Sequence, residues 1–156
     1  MTNITATAPE PFYTQYSPTF SATGMTFTGS NLTYPTYNSY YVKNGKMVSF
    51  VISVDLSTVT NFGTGQYKLQ LPFTPLAGYN HFAGWAWLDS TISADLSDHM
   101  IISADTAGVT DVLDLHYLVA STATPKPVIE NQFTQGAPYT LTTKSRIYVN
   151  GTYICQ

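Results

Sequence analysis

The chain has 156 residues, 44% hydrophobic, 14% aromatic and 10% charged, with a formal net charge of −3. That length suits one domain with a real core, and six Lys and Arg with no cluster exclude the basic surface of a nucleic-acid binder or of a protein held on an anionic membrane. No apolar run approaches the roughly 18 to 20 residues of a spanning helix, and the single Cys155 excludes an internal disulfide and a four-cysteine zinc site.

The remaining composition points to an all-β protein. Charged residues fall well below the roughly 25% of an average soluble domain, and Thr and Ser supply most of the polarity. Thr, Tyr, Phe and Val suit pleated, half-buried surfaces. A surface so poor in charge has weak protection against self-association and suits packing on other chains.

In chain order, residues 1–14 read as a short extended arm. Pro9 and Pro11 disfavour regular structure, and no basic stretch precedes an apolar run, so no secretory signal is expected. Phe12 and Tyr13 close the arm and are its candidate docking anchors. Residues 15–156 then read as one β-sandwich domain. Tyr16 to Thr28 holds two short strands split by Gly24, and Ser30 to Tyr37 is a loop. Tyr40 to Leu56 is a hairpin around Asn44-Gly45, expected as a type I′ turn. Its return strand sets Val48, Phe50, Ile52, Val54 and Leu56 on one apolar face and Met47, Ser49, Val51, Ser53 and Asp55 on the other.

Ser57 to Gly65 reads as a polar loop with two glycines. In Gln66 to Leu71, Tyr67, Leu69 and Leu71 alternate with polar residues, and Pro72 and Pro75 end the strand. Further strands are expected at Phe82 to Leu88, His99 to Ala104, Asp111 to Val119, near Val128 to Phe133, and at Ser145 to Ile154. No segment shows sustained helical periodicity, so the pattern is that of a sandwich, jelly roll or barrel.

Two segments carry a family resemblance: Ser57 to Pro72, STVTNFGTGQYKLQLP, and Ile147 to Tyr153, IYVNGTY. With the Tyr-rich hairpin before them, they resemble a β-sandwich domain common in tailed-bacteriophage virion proteins. The matching positions include Tyr41, Gly45, Val48, Phe62, Gly63, Thr64, Gly65, Tyr67, Leu71, Pro72, Gly151, Thr152 and Tyr153. The resemblance spans about Tyr16 to Tyr153 and implies a jelly-roll-like sandwich, a non-enzymatic virion component and a homotrimer. It carries no catalytic residue. A short arm followed by one β domain fits a capsid decoration or cement protein, or a small tail accessory. The partners expected are its own copies and a major capsid or tail protein. The location is the virion, after synthesis in the bacterial host cytoplasm.

The chemistry-bearing residues do not form a motif. His116 and Asp114 share a strand face and suit a metal, but a surface pair is the plainer reading. Asp105, Asp111 and Asp114 lack calcium-loop spacing and read as turn caps. No GxSxG elbow accompanies His81, His99 or His116. Phe62-Gly63-Thr64-Gly65 lacks the Lys and helix of a phosphate loop, and its glycines suit a tight turn. Trp85 and Trp87 lie on one face of an apolar strand, where a core location is the commoner outcome. On an exposed face they would stack on sugar rings. They stand with Tyr34, Tyr37, Tyr40 and Tyr41 as candidates for glycan or subunit contact. No catalytic residue, metal ligand or cofactor is assigned. The alternative reading is a tail-fibre-type module that binds host cell-surface glycan.

Overall fold

Strict alternation along one strand sets the architecture. From Met47 to Asp55, the even-numbered residues Val48, Phe50, Ile52 and Val54 are buried and the odd-numbered ones face outward. The computed structural model describes residues 13–27, 39–76, 80–89, 97–106, 110–120, 128–137 and 140–156. Its strands are β1 (Thr14–Gln15), β2 (Phe20–Thr23), β3 (Thr26–Phe27), β4 (Tyr40–Asn44), β5 (Met47–Asp55), β6 (Val59–Asn61), β7 (Thr64–Gln70), β8 (Asn80–Asp89), β9 (Ser97–Thr106), β10 (Val112–Ala120), β11 (Val128–Gln132) and β12 (Arg146–Ile154). No helix occurs among the described residues. The protein is all-β.

Ten strands form one antiparallel sheet in the order β1-β4-β5-β12-β8-β9-β10-β7-β2, with β11 on β10, while β3 and β6 pair separately. β12 runs beside β5 without a break, from Arg146 opposite Asp55 to Ile154 opposite Met47, and its other edge pairs with β8. The path from β1 to β2 crosses eight strand spacings, about 38 Å if the sheet were flat. Yet only residues 16–19 link these two strands, and five Cα steps reach at most about 18 Å. The sheet therefore curls so that its edges approach and one apolar face wraps the core, in a sandwich-like arrangement.

Aromatic rings fill that core. Phe50, Phe82 and Tyr153 meet edge to face at 5.1 to 6.0 Å. Phe20 stacks on Tyr67 at 5.1 Å, and Tyr67 meets Phe133 edge-on at 5.3 Å. Phe133 is inserted between strands: its N–H donates to the Leu115 carbonyl, and its own carbonyl accepts from the Tyr67 N–H. The segment after β7 crosses to β12. There the Tyr153 hydroxyl donates to the Phe73 carbonyl (2.8 Å) and accepts from the Phe73 N–H (3.1 Å). The Leu76 N–H donates to the Ile154 carbonyl at 2.7 Å. Burial pushes the Tyr16 and Tyr67 hydroxyls well above the ordinary tyrosine range. It pushes Tyr153 up to about 12, against the lowering effect of its bond to the Phe73 backbone.

Two local expectations change. The hairpin loop is Gly45-Lys46, because Asn44 pairs with Met47 inside the ladder. Gly45 has φ 59°, and no non-glycine among the described residues has positive φ. Positive φ at the first central position alone is the type II′ pattern, not type I′. The Ser57 to Gly65 loop contains β6, whose register with β3 places Thr26 opposite Asn61. Gly63 and Gly65 do take positive φ, 68° and 80°. Of the arm, Thr14 is part of β1 and pairs with Tyr41; residues 1–12 lie outside the described part.

Gly45 has open space where a Cβ would go, whereas at Gly63 a Cβ would lie 2.5 Å from the Thr23 carbonyl oxygen. Gly45→Val should therefore cost only backbone strain, about 1 to 3 kcal/mol, and Gly63→Ala should cost more because strain and a backbone clash add. Chemical denaturation of both variants tests the order; equal losses would contradict it. The raised tyrosines make a second expectation. A hydroxyl whose folded pKa exceeds the unfolded value of about 10 holds its proton better in the fold, so its contribution is intact below about pH 10 and is lost as pH rises toward 12. Tm followed from pH 8 to 12 should fall within that upper window, together with late phenolate absorbance. A flat Tm across it would contradict the burial of these hydroxyls.

Candidate functional site

The outer face of the sheet carries the features of functional interest. Adjacent strands in register build rows across it. One row is Ser53, Tyr148, Trp85 and Ile101, on β5, β12, β8 and β9; the next is Val51, Asn150, Ala83 and Ser103. Two shorter rows follow, Ser49 with Thr152 and Met47 with Ile154. None of these twelve positions carries a charge. The apolar members are open: Ile101 is 66% exposed, Val51 47% and Trp85 37%. Charge returns only beyond the band, with Asp55 3.4 Å from Arg146 at one end.

Trp85 is the main correction. An apolar strand favours burial of its tryptophans, yet alternation in β8 turns Phe82 and Ala86 inward and leaves Trp85 on the outside. Its ring stacks on Tyr148, with centroids 4.0 Å apart and planes 18° from parallel. The pair presents a flat aromatic platform beside Ile101. Trp87 lies in the same strand, opposite His99 and Arg146, and its side chain lies outside the described part.

A second feature lies at the β1–β4 edge. A groove of about 390 Å³ is lined by Tyr13, Tyr40, Tyr41, Val42, Ser49, Phe50 and Val51. It brings the arm residue Tyr13, 73% exposed, together with two tyrosines of the hairpin. Tyr41 is committed to packing, edge-on to both Tyr16 and Phe73, so Tyr40 and Tyr13 are the groove's available rings. The other candidates, Phe12, Tyr34 and Tyr37, lie outside the described residues.

The polar candidates are mostly engaged within the fold. Asp114 forms an ion pair with Lys68, Asp111 accepts from Gln70, and Asp55 accepts from the Ser57 N–H. His116 does not pair with Asp114 as their shared face suggested; its Nε2 lies 3.4 Å from Asp105 of β9 and 3.3 Å from Gln66 Nε2. Sequence reasoning missed Tyr148 and Ile101. Tyr148 was open to discovery, because Ile147 and Val149 are the core-facing pair of β12 and alternation then turns Tyr148 outward. Ile101 was not, because its place beside Trp85 depends on strand pairing. Comparison with family models, curated proteins and solved structures returns no match.

The stack makes a test of this face. Offset aromatic pairs contribute about 0.5 to 1.5 kcal/mol beyond burial. A double-mutant cycle of Trp85→Ala and Tyr148→Ala, read by chemical denaturation, should return a coupling of that size. Additive losses would mean the rings do not stack in solution.

Proposed function

We propose that this chain is a non-enzymatic structural subunit of a bacteriophage particle, working as a homotrimer that decorates or cements a capsid or joins a tail. The uncharged outer band carries the reading. A face without charge that leaves large apolar side chains open suits contact with another chain. Here Val51, Trp85, Ile101 and Met47 are all open within rows free of charge. The class of particle and the three-fold symmetry rest on the resemblance of the FGTG-to-LP and NGTY segments to phage virion domains. The non-enzymatic part rests on the same resemblance, which carries no catalytic residue.

A second reading has a specific observation behind it. The Trp85–Tyr148 platform is flat, aromatic and partly open, which suits stacking on sugar rings of a host glycan.

Light scattering of the purified chain should give three times the 17.1 kDa chain mass. Ile101→Glu and Val51→Glu place a charge on exposed positions, so they should leave circular dichroism unchanged while shifting the mass toward the monomer and lowering occupancy on particles. A wild-type monomer whose particle occupancy ignores both changes would overturn the structural reading. Saturable binding to host cells that is lost in Trp85→Ala would establish the glycan reading instead.

A further inference from the structure

We propose that His81 of β8, Asp105 of β9 and Glu130 of β11 form a binding site for a divalent transition-metal ion, Zn²⁺ in the first place. His81 and Asp105 are direct cross-strand partners, and Glu130 enters from β11, which joins the sheet through β10. One donor atom from each, an imidazole nitrogen and two carboxylate oxygens, lies within 4.8 Å of the other two. Zinc binds such atoms at roughly 2.0 to 2.2 Å, which sets tetrahedral donors about 3.4 Å apart. The remaining closure falls on side chains free to make it, because His81 and Glu130 are exposed.

A further observation points to a cation here. The carboxylates of Asp105 and Glu130 approach one another within the same 4.8 Å, and a cation between them would offset their repulsion. Beyond the cluster, Asp105 lies 3.4 Å from His116 Nε2, which in turn lies 3.3 Å from Gln66 Nε2, so these two side chains stand where outer groups would orient a ligating carboxylate.

The donor set selects the ion. One imidazole with two carboxylates suits Zn²⁺ or Mn²⁺ better than Ca²⁺, which takes six to eight oxygens. Three protein ligands leave a coordination position open to water or to a group from a neighbouring chain. The site joins strands from separated parts of the sequence, so the ion would also tie the β8–β9 and β10–β11 regions together.

The test uses the whole chain, stripped with chelator and titrated calorimetrically with ZnCl₂, MnCl₂ and CaCl₂. One equivalent of Zn²⁺ per chain is expected, with little heat from Ca²⁺ and a rise in Tm on loading. His81→Ala and Glu130→Gln alter exposed groups and should keep the apo circular dichroism, while each lowers Zn²⁺ affinity by about tenfold or more. Asp111→Asn, outside the cluster, should bind as wild type does. Co²⁺ should give a visible absorption band that both cluster variants lose. Zn²⁺ binding equal in all four proteins, or Ca²⁺ binding equal to Zn²⁺, would overturn the site. None of these readouts depends on the oligomer or on particle occupancy.

Discussion

The whole structure depends on a mismatch of lengths. A ten-stranded sheet is too wide to lie open when four residues join its two edge strands. Curling is the only solution, and it brings one face of every long strand onto a single core. The interior must then be filled from all sides by large groups, and aromatic rings supply many of them. Phe20, Phe50, Tyr67, Phe82, Phe133 and Tyr153 are all buried. The Tyr153 hydroxyl does more than fill space: bonded both ways to the Phe73 backbone, it holds the segment after β7 against β12 and keeps the curl closed.

Once the apolar residues of one face are committed inward, what is left outside defines the protein's contacts. The outer rows of β5, β12, β8 and β9 contain Ser, Thr, Asn and Ala between Val51, Tyr148, Trp85 and Ile101. This mixture is wet enough for a folded chain to remain in water and apolar enough to gain from being covered. Its polar members need few partners when buried, since hydroxyls and amides bond readily across an interface. A lysine or glutamate in the same rows would carry a heavy desolvation cost.

Much of the fold was legible in the sequence, and the reasons are local. Alternation in β5 and β7 reads directly as inside and outside, and the glycines of the FGTG segment read as positive-φ positions. The hairpin was found but its turn was one residue out. Asn44-Gly45 favours a type I′ turn, whereas the ladder extends through Asn44 and leaves Gly45-Lys46 to turn. The site was less legible. Trp85 was misjudged because hydrophobicity argues for burial while parity within β8 decides the side, and parity is known only when Phe82 and Ala86 are placed. His81, Asp105 and Glu130 are far apart in sequence. His81 meets Asp105 through cross-strand register and Glu130 reaches them from β11, a third stretch of chain, and no spacing rule expresses either.

The position of β12 has a consequence for how the chain reaches its native state. β12 follows every other described strand in sequence, yet it sits between β5 and β8. Until it is available, both of those strands present an unpaired edge, and the hairpin of β4 and β5 carries an apolar face with nothing to cover it. Pairings of such long sequence separation form slowly, and open edges of this kind recruit other chains. A protein with open apolar side chains on its outer face thus passes through an interval in which its inner face is open too. Rapid release and dilution, or shielding of β5 and β8, would favour insertion of the central strand before a neighbour's.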